Sequence, residues 1–210
     1  MIRWTILCAG LFVAGCSSSA PDRTEDTLTR MEEFRRDTGF LKSQVTAVLS
    51  SLNEVASKAA SGPRPAYDAY VDRVSETESK TKGLLGGAES LKARGEAYFR
   101  EWGEELATIQ NADIRKRAED RRQKMKATYG KIDVAVTGAR EALGPFNSDL
   151  KDLRTFLGNE LTPAGITGAQ DLISKVHAQG EKVKERLEAL DKEVEHAASE
   201  LRISAPRATP

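Results

Sequence analysis

Cysteine is nearly absent from this chain. Its 210 residues hold two, Cys8 and Cys16, both within the first sixteen positions. Everything after Cys16 lacks thiols, so disulfides, thiol catalysis and thiolate-held metals are excluded there. Histidine is equally scarce. His177 and His196 lie nineteen residues apart on what reads as one helix, about 28 Å along its axis, and cannot share a metal. There is no His-Glu-x-x-His, no pair of Glu-x-x-His motifs for a di-iron bundle, and no Cys-x-x-Cys-His for haem. No Gly-x-x-x-x-Gly-Lys loop occurs. The glycines of "KGLLGG", Gly83, Gly86 and Gly87, follow no strand, which excludes a phosphate cradle of the usual kind. No cofactor and no metal is expected. Net charge is also missing: 32 basic residues balance 32 acidic ones. Without a basic bias, nucleic acid is not an expected partner. Aromatics make up 6% and charged residues 30%, a solvated, helical composition rather than a thick core. Strand-like alternation is found nowhere.

The longest apolar run, Trp4 to Val13, is also short. At about ten residues it falls well below the roughly 20 that a bilayer span needs. Arg3 stands before it, and the small residues Ala14 and Gly15 follow. A basic start, an apolar core and a small-residue cleavage site make a secretory signal, expected over 1–15. Val13-Ala14-Gly15-Cys16 resembles the lipobox of bacterial lipoproteins. The resemblance implies cleavage between Gly15 and Cys16 and lipidation of Cys16. Each buried acyl CH₂ contributes about 0.8 kcal/mol, and several chains together hold firmly. Membrane attachment through Cys16 is therefore expected, with residues 16–21 as a tether. Ser17 after the cysteine suits the periplasm-facing leaflet of the outer membrane.

After residue 21, apolar and small residues recur in steps of three and four, the signature of amphipathic helices. The fold class is all-α. Four long helices are expected over about 22–60, 65–111, 113–160 and 163–202, as an elongated antiparallel bundle with coiled-coil packing over 22–203. Residues 204–210 read as a disordered tail. Ser61-Gly62-Pro63-Arg64-Pro65 and Leu161-Thr162-Pro163 supply strong breaks. Near Asn111-Ala112-Asp113 the apolar phase slips, and Asp113 is the expected N-cap of a new helix. A continuous helix with a stutter is the alternative. Gly144-Pro145 interrupts the third line without ending its period, which predicts a kink.

Two clusters draw attention as sites. Arg115, Lys116, Arg117, Arg121 and Arg122 crowd one helix start, where positive charge opposes the macrodipole. One reading is an anionic contact patch. The other pairs these residues across the hairpin with Glu101, Glu104 and Glu105. Tyr98 and Trp102 share a helix face with Phe99 between them. They read as core packing near the turn, or as the wall of a small apolar pocket. The paired carboxylates on solvated helix faces imply no catalysis, and no catalytic residue is expected.

The segment Phe99-Arg100-Glu101-Trp102-Gly103-Glu104-Glu105-Leu106 resembles bacterial envelope lipoproteins that carry the domain of unknown function 2959. Trp102, Asn111-Ala112, Arg115 to Arg117, Phe156-Leu157 and Thr162 carry the likeness, which extends over roughly Tyr67 to Leu201. The resemblance implies a helical bundle and no established activity. The expectation is a non-enzymatic, lipid-anchored scaffold or adaptor that meets a protein partner, or itself, through a helix face. The alternative is a carrier or sensor of an apolar ligand such as lipid inside the bundle.

Overall fold

The computed structural model describes residues 20–204, with side chains from 22 to 203. The expected signal segment and lipobox, with Gly15 and Cys16, and the last six residues lie outside the described region. Among the described residues five helices follow one another: α1 (Ala20–Ser57), α2 (Arg64–Ala107), α3 (Ala112–Asn159), α4 (Pro163–Gly168) and α5 (Gln170–Ser204). No strand occurs among the described residues. Helix α3, with 48 residues, is about 72 Å long.

The chain breaks where its backbone chemistry requires it. Gly62 adopts φ +107° between α1 and α2, a conformation that favours glycine. Pro65 falls in the first turn of α2, where its missing N–H costs nothing. The phase slip after α2 is a true turn, so the stutter alternative does not hold. The cap differs from the sequence expectation. Asn111, not Asp113, caps α3, and its side chain accepts from the amides of Asp113 and Ile114 at 3.1 and 3.0 Å. Asp113 sits inside the first turn. There its carboxylate complements the helix dipole instead of closing it.

Thr162 caps α4 as expected, accepting from the Gly165 amide at 3.0 Å. Gly165 has no alternative here, because a Cβ would lie 2.2 Å from the Glu160 carbonyl oxygen. The expected fourth helix is divided. One turn-rich stretch, α4, ends at Gly168, and α5 begins at Gln170. Two glycines and a β-branched threonine in Gly165-Ile166-Thr167-Gly168 weaken helix propensity there. Helix α3 runs on past Pro145.

The four long helices form a closed ring of neighbours: α1 on α2, α2 on α3, α3 on α5, and α5 on α1. The diagonal pairs are not packed together. Short connections make each neighbour antiparallel. One end carries both the α1–α2 turn and the α3–α4 turn. It is called the Tyr67 end, since Tyr67 donates to the Arg154 carbonyl at 2.9 Å. Below it, Tyr70 is fully buried and donates to the Leu150 carbonyl at 2.8 Å. Leu143, Phe146, Leu153 and Leu157 of α3 continue the core along this half of the bundle at 0–1% exposure. The opposite end carries the α2–α3 turn and the start of α1, and is called the Asn111 end.

Ion pairs lock the ring from outside. Arg35 meets Asp191 at 2.8 Å and Lys42 meets Glu188 at 3.2 Å, joining α1 to α5. Arg140 meets Glu89 and Lys151 meets Glu78, each at 2.8 Å, joining α3 to α2. Lys175 holds Asp149 at 2.7 Å across α5 and α3. These partly exposed pairs set register more than stability.

Candidate functional site

The sequence clusters converge on the Asn111 end. Helix α1 enters there. Buried Arg23 reaches α2, contacting Glu101 at 3.4 Å and Glu105 at 2.7 Å. Asp26 pairs with Arg94 one turn along. Arg202, near the end of α5, meets Glu32 at 2.5 Å. Helix α1 begins at Ala20, twelve residues and about 18 Å before that pair. Among the described residues, α1, α2 and α3 therefore continue where α5 stops.

Arg23 changes the reading of the basic cluster. The acidic end of α2 does not pair with the basic start of α3. Glu101 and Glu105 are taken by α1, and Glu104 pairs with Arg100 at 3.9 Å. The cross-hairpin expectation fails because α1 reaches the α2 carboxylates first. Arg122 alone turns inward. It donates to the Phe99 carbonyl at 2.9 Å and holds Glu119 through two nitrogens, at 2.9 and 2.7 Å. Hydrogen bonds from Arg122, then from Gln123, pull the Glu119 carboxyl down to about 2. Arg115, Lys116, Arg117 and Arg121 remain exposed, with no ion pair among the described residues. Arg115 makes one long hydrogen bond, 3.5 Å, to the Ile109 carbonyl.

The aromatic cluster forms beside them. Tyr98 and Phe99 are buried, while Trp102 is half-buried. Tyr98 meets Phe99 and Trp102 edge-on at 5.2 and 5.9 Å, and Phe99 meets Tyr129 of α3 at 5.6 Å. Such pairs contribute about 0.5–1.5 kcal/mol beyond their area. Tyr129 lies close against Gly95 and donates to the Leu91 carbonyl at 2.5 Å. A Cβ on Gly95 would sit 2.3 Å from the ring. Sequence reasoning missed this contact. Its only signal was a glycine at a seam position of a regular helix. A groove of about 450 Å³ does open at this end, but Gly103, Leu106, Ala107, Ala112, Arg115 and Lys116 line it rather than the aromatic rings.

The remaining candidates scatter. Gly83 and Gly86 face solvent with nothing near a would-be Cβ, and Gly87 lies against Phe34. His177 is half-buried and His196 exposed on α5. Among the described residues no group of His, Cys, Asp and Glu gathers at metal-binding distance. No described helix is long and apolar enough to cross a membrane.

The family profile described as Protein of unknown function (DUF2959) matches residues 22–202. The chain belongs to this family. No curated protein and no solved structure matches it. The DUF2959 match reaches further than the resemblance read from Tyr67 onward, since it includes α1. The structure gives the same reason in physical form: Arg23 and the α1–α2 packing make α1 part of one body with the rest. The residues carrying the resemblance concentrate at the ends. Trp102, Asn111 and Arg115 to Arg117 frame one turn, and Leu157 and Thr162 frame another. Phe156 is 40% exposed beside buried Leu157.

Proposed function

We propose that this DUF2959 protein is a lipid-anchored, non-catalytic scaffold or adaptor of the bacterial envelope. It is held by acylated Cys16 in the outer membrane and faces the periplasm. One observation carries the reading. The run ending Val13-Ala14-Gly15-Cys16 leads, within four residues, into a helical rod that begins at Ala20. A rod about 70 Å long, tethered at one end, displays helix faces at a distance from the bilayer. Its filled interior favours a display role over a carrier role. Leu41, Val45, Val183 and Leu187 leave no exposed surface in the central layers, and Gly83, Gly86 and Gly87 face solvent or Phe34.

Photo-crosslinking in living cells tests the reading. Photoreactive residues at exposed Ser79 and Glu96 of α2, and at Glu185 and Ser199 of α5, should each capture a recurrent protein, or a second copy of the chain. Capture of lipid alone from these faces would replace the scaffold by the carrier. Catalysis is not part of the proposal, and a defined partner complex is the expected product of the experiment.

A further inference from the structure

The first four turns of α3 hold six basic side chains without an ion pair among the described residues: Arg115, Lys116, Arg117, Arg121, Lys124 and Lys126. Only two carboxylates on the same stretch, Asp113 and Asp120, are equally free, because Glu119 belongs to Arg122. The nearby acids of α2 are held by Arg23 and Arg100. The arrangement does not serve the fold. Cations in the first turns of a helix oppose its dipole, and long exposed side chains without partners add little stability.

We propose that this basic helix start is a docking surface for anionic phospholipid headgroups, holding the Asn111 end of the bundle against the bilayer. The geometry of the charges fits a flat surface. Arg115, Lys116 and Arg117 are consecutive, so they leave the helix about 100° apart and spread charge around its tip. A partner protein's groove would need them along one face. Arg117, Arg121 and Lys124 extend the charge along one side, at spacings of four and three residues. Ile114, 57% exposed among them, offers an apolar side chain at headgroup depth. Location points the same way. Helix α1 starts at this end, four residues after Cys16, and four residues span at most about 14 Å. This last argument rests on the lipid-anchor reading; the charge argument does not.

The test separates the two. Full-length chain carrying Cys16→Ser has no acylation site. An apolar leading segment would add binding to vesicles of either kind, so the quantity read is the ratio of binding to phosphatidylglycerol vesicles over phosphatidylcholine vesicles. Each basic group near an anionic surface strengthens attachment about fivefold. The ratio should reach at least ~100 at low salt and collapse near 1 M salt, where the Debye length is about 3 Å. The set Arg115→Glu, Lys116→Glu, Arg117→Glu and Arg121→Glu should bring the ratio close to one. The neutral set Arg115→Gln, Lys116→Gln and Arg117→Gln should give an intermediate value. A control set on exposed, unpaired side chains elsewhere, Lys58→Glu, Lys82→Glu and Lys182→Glu, should leave it unchanged. Far-ultraviolet circular dichroism confirms that each variant keeps its helices. Equal binding to both vesicles by the parent chain would overturn the proposal. So would equal loss in the control set, which would make the preference a property of overall charge and not of this surface. Failure of the anchor reading shows elsewhere, as an unmodified Cys16 in the wild-type protein.

Discussion

The two ends of the bundle are built from the same helices by opposite means. At the Tyr67 end four helices enclose leucines and Phe146, and two tyrosines tie α2 to carbonyls of α3. At the Asn111 end three described helices continue past the last turn of α5, closed by aromatic rings, Arg23 and Arg122. The first end spends its side chains on burial. The second leaves the cations at the start of α3 in solvent. On the proposed reading, stability and contact are separated along the rod.

The largest effect expected from breaking this contrast is at the closed end. Phe146→Ala removes a fully buried ring and should cost about 3–5 kcal/mol. Trp102→Ala, at the half-buried open end, should cost less. Urea unfolding of both variants checks the order, and a larger loss for Trp102→Ala would reverse the comparison.

Glycines of one helix sharpen it further. Gly95→Ala drives a methyl into the Tyr129 ring and should destabilise by about 1–3 kcal/mol, the usual effect of overpacking. Gly83→Ala and Gly86→Ala face open space in the same helix. They should stabilise by about 0.5–1 kcal/mol through helix propensity alone. Thermal melts give the signs, and a common sign for all three would refute the close contact.

Alkaline pH probes both ends together. Burial pushes the phenols of Tyr70 and Tyr129 above their ordinary range. The unfolded chain, with tyrosines near 10, then loses protons before the folded one. Stability is complete below about pH 10 and falls as pH rises beyond it. Tyr70→Phe and Tyr129→Phe should each flatten part of that fall, measured as unfolding midpoints at pH 8 and above 10.

The smallest effects belong to the exposed cations. Arg115→Glu and Arg117→Glu lose no ion pair among the described residues and place acid near a helix N-terminus. They should raise stability by a few tenths of a kcal/mol. A loss above about 1 kcal/mol would mean that these residues serve the fold after all.

The helices were legible from period and punctuation, because steps of three and four, Gly62-Pro63 and Thr162-Pro163 act locally. The cap of α3 was legible only to within two residues. Asn111 and Asp113 are both good caps, and the choice depends on which one leaves the amides of 113 and 114 in reach. The division of α4 from α5 was hidden by a seam that keeps its period across Gly168. The fate of Glu101 and Glu105 was not legible at all. It depends on the register of α1 against α2, set by side chains some eighty positions apart in the chain. The Tyr129–Gly95 contact is non-local in the same way. The expected lipobox is the reverse case: a purely local signal that lies outside the described residues.

The central claim is that the rod is tethered by Cys16 at its Asn111 end. The intact mass of the full-length protein, extracted from the envelope of the cells that make it, tests this most directly. The account predicts a chain that begins at Cys16 and carries three acyl chains. A chain that retains residues 1–15, or that begins elsewhere with Cys16 unmodified or missing, would contradict it.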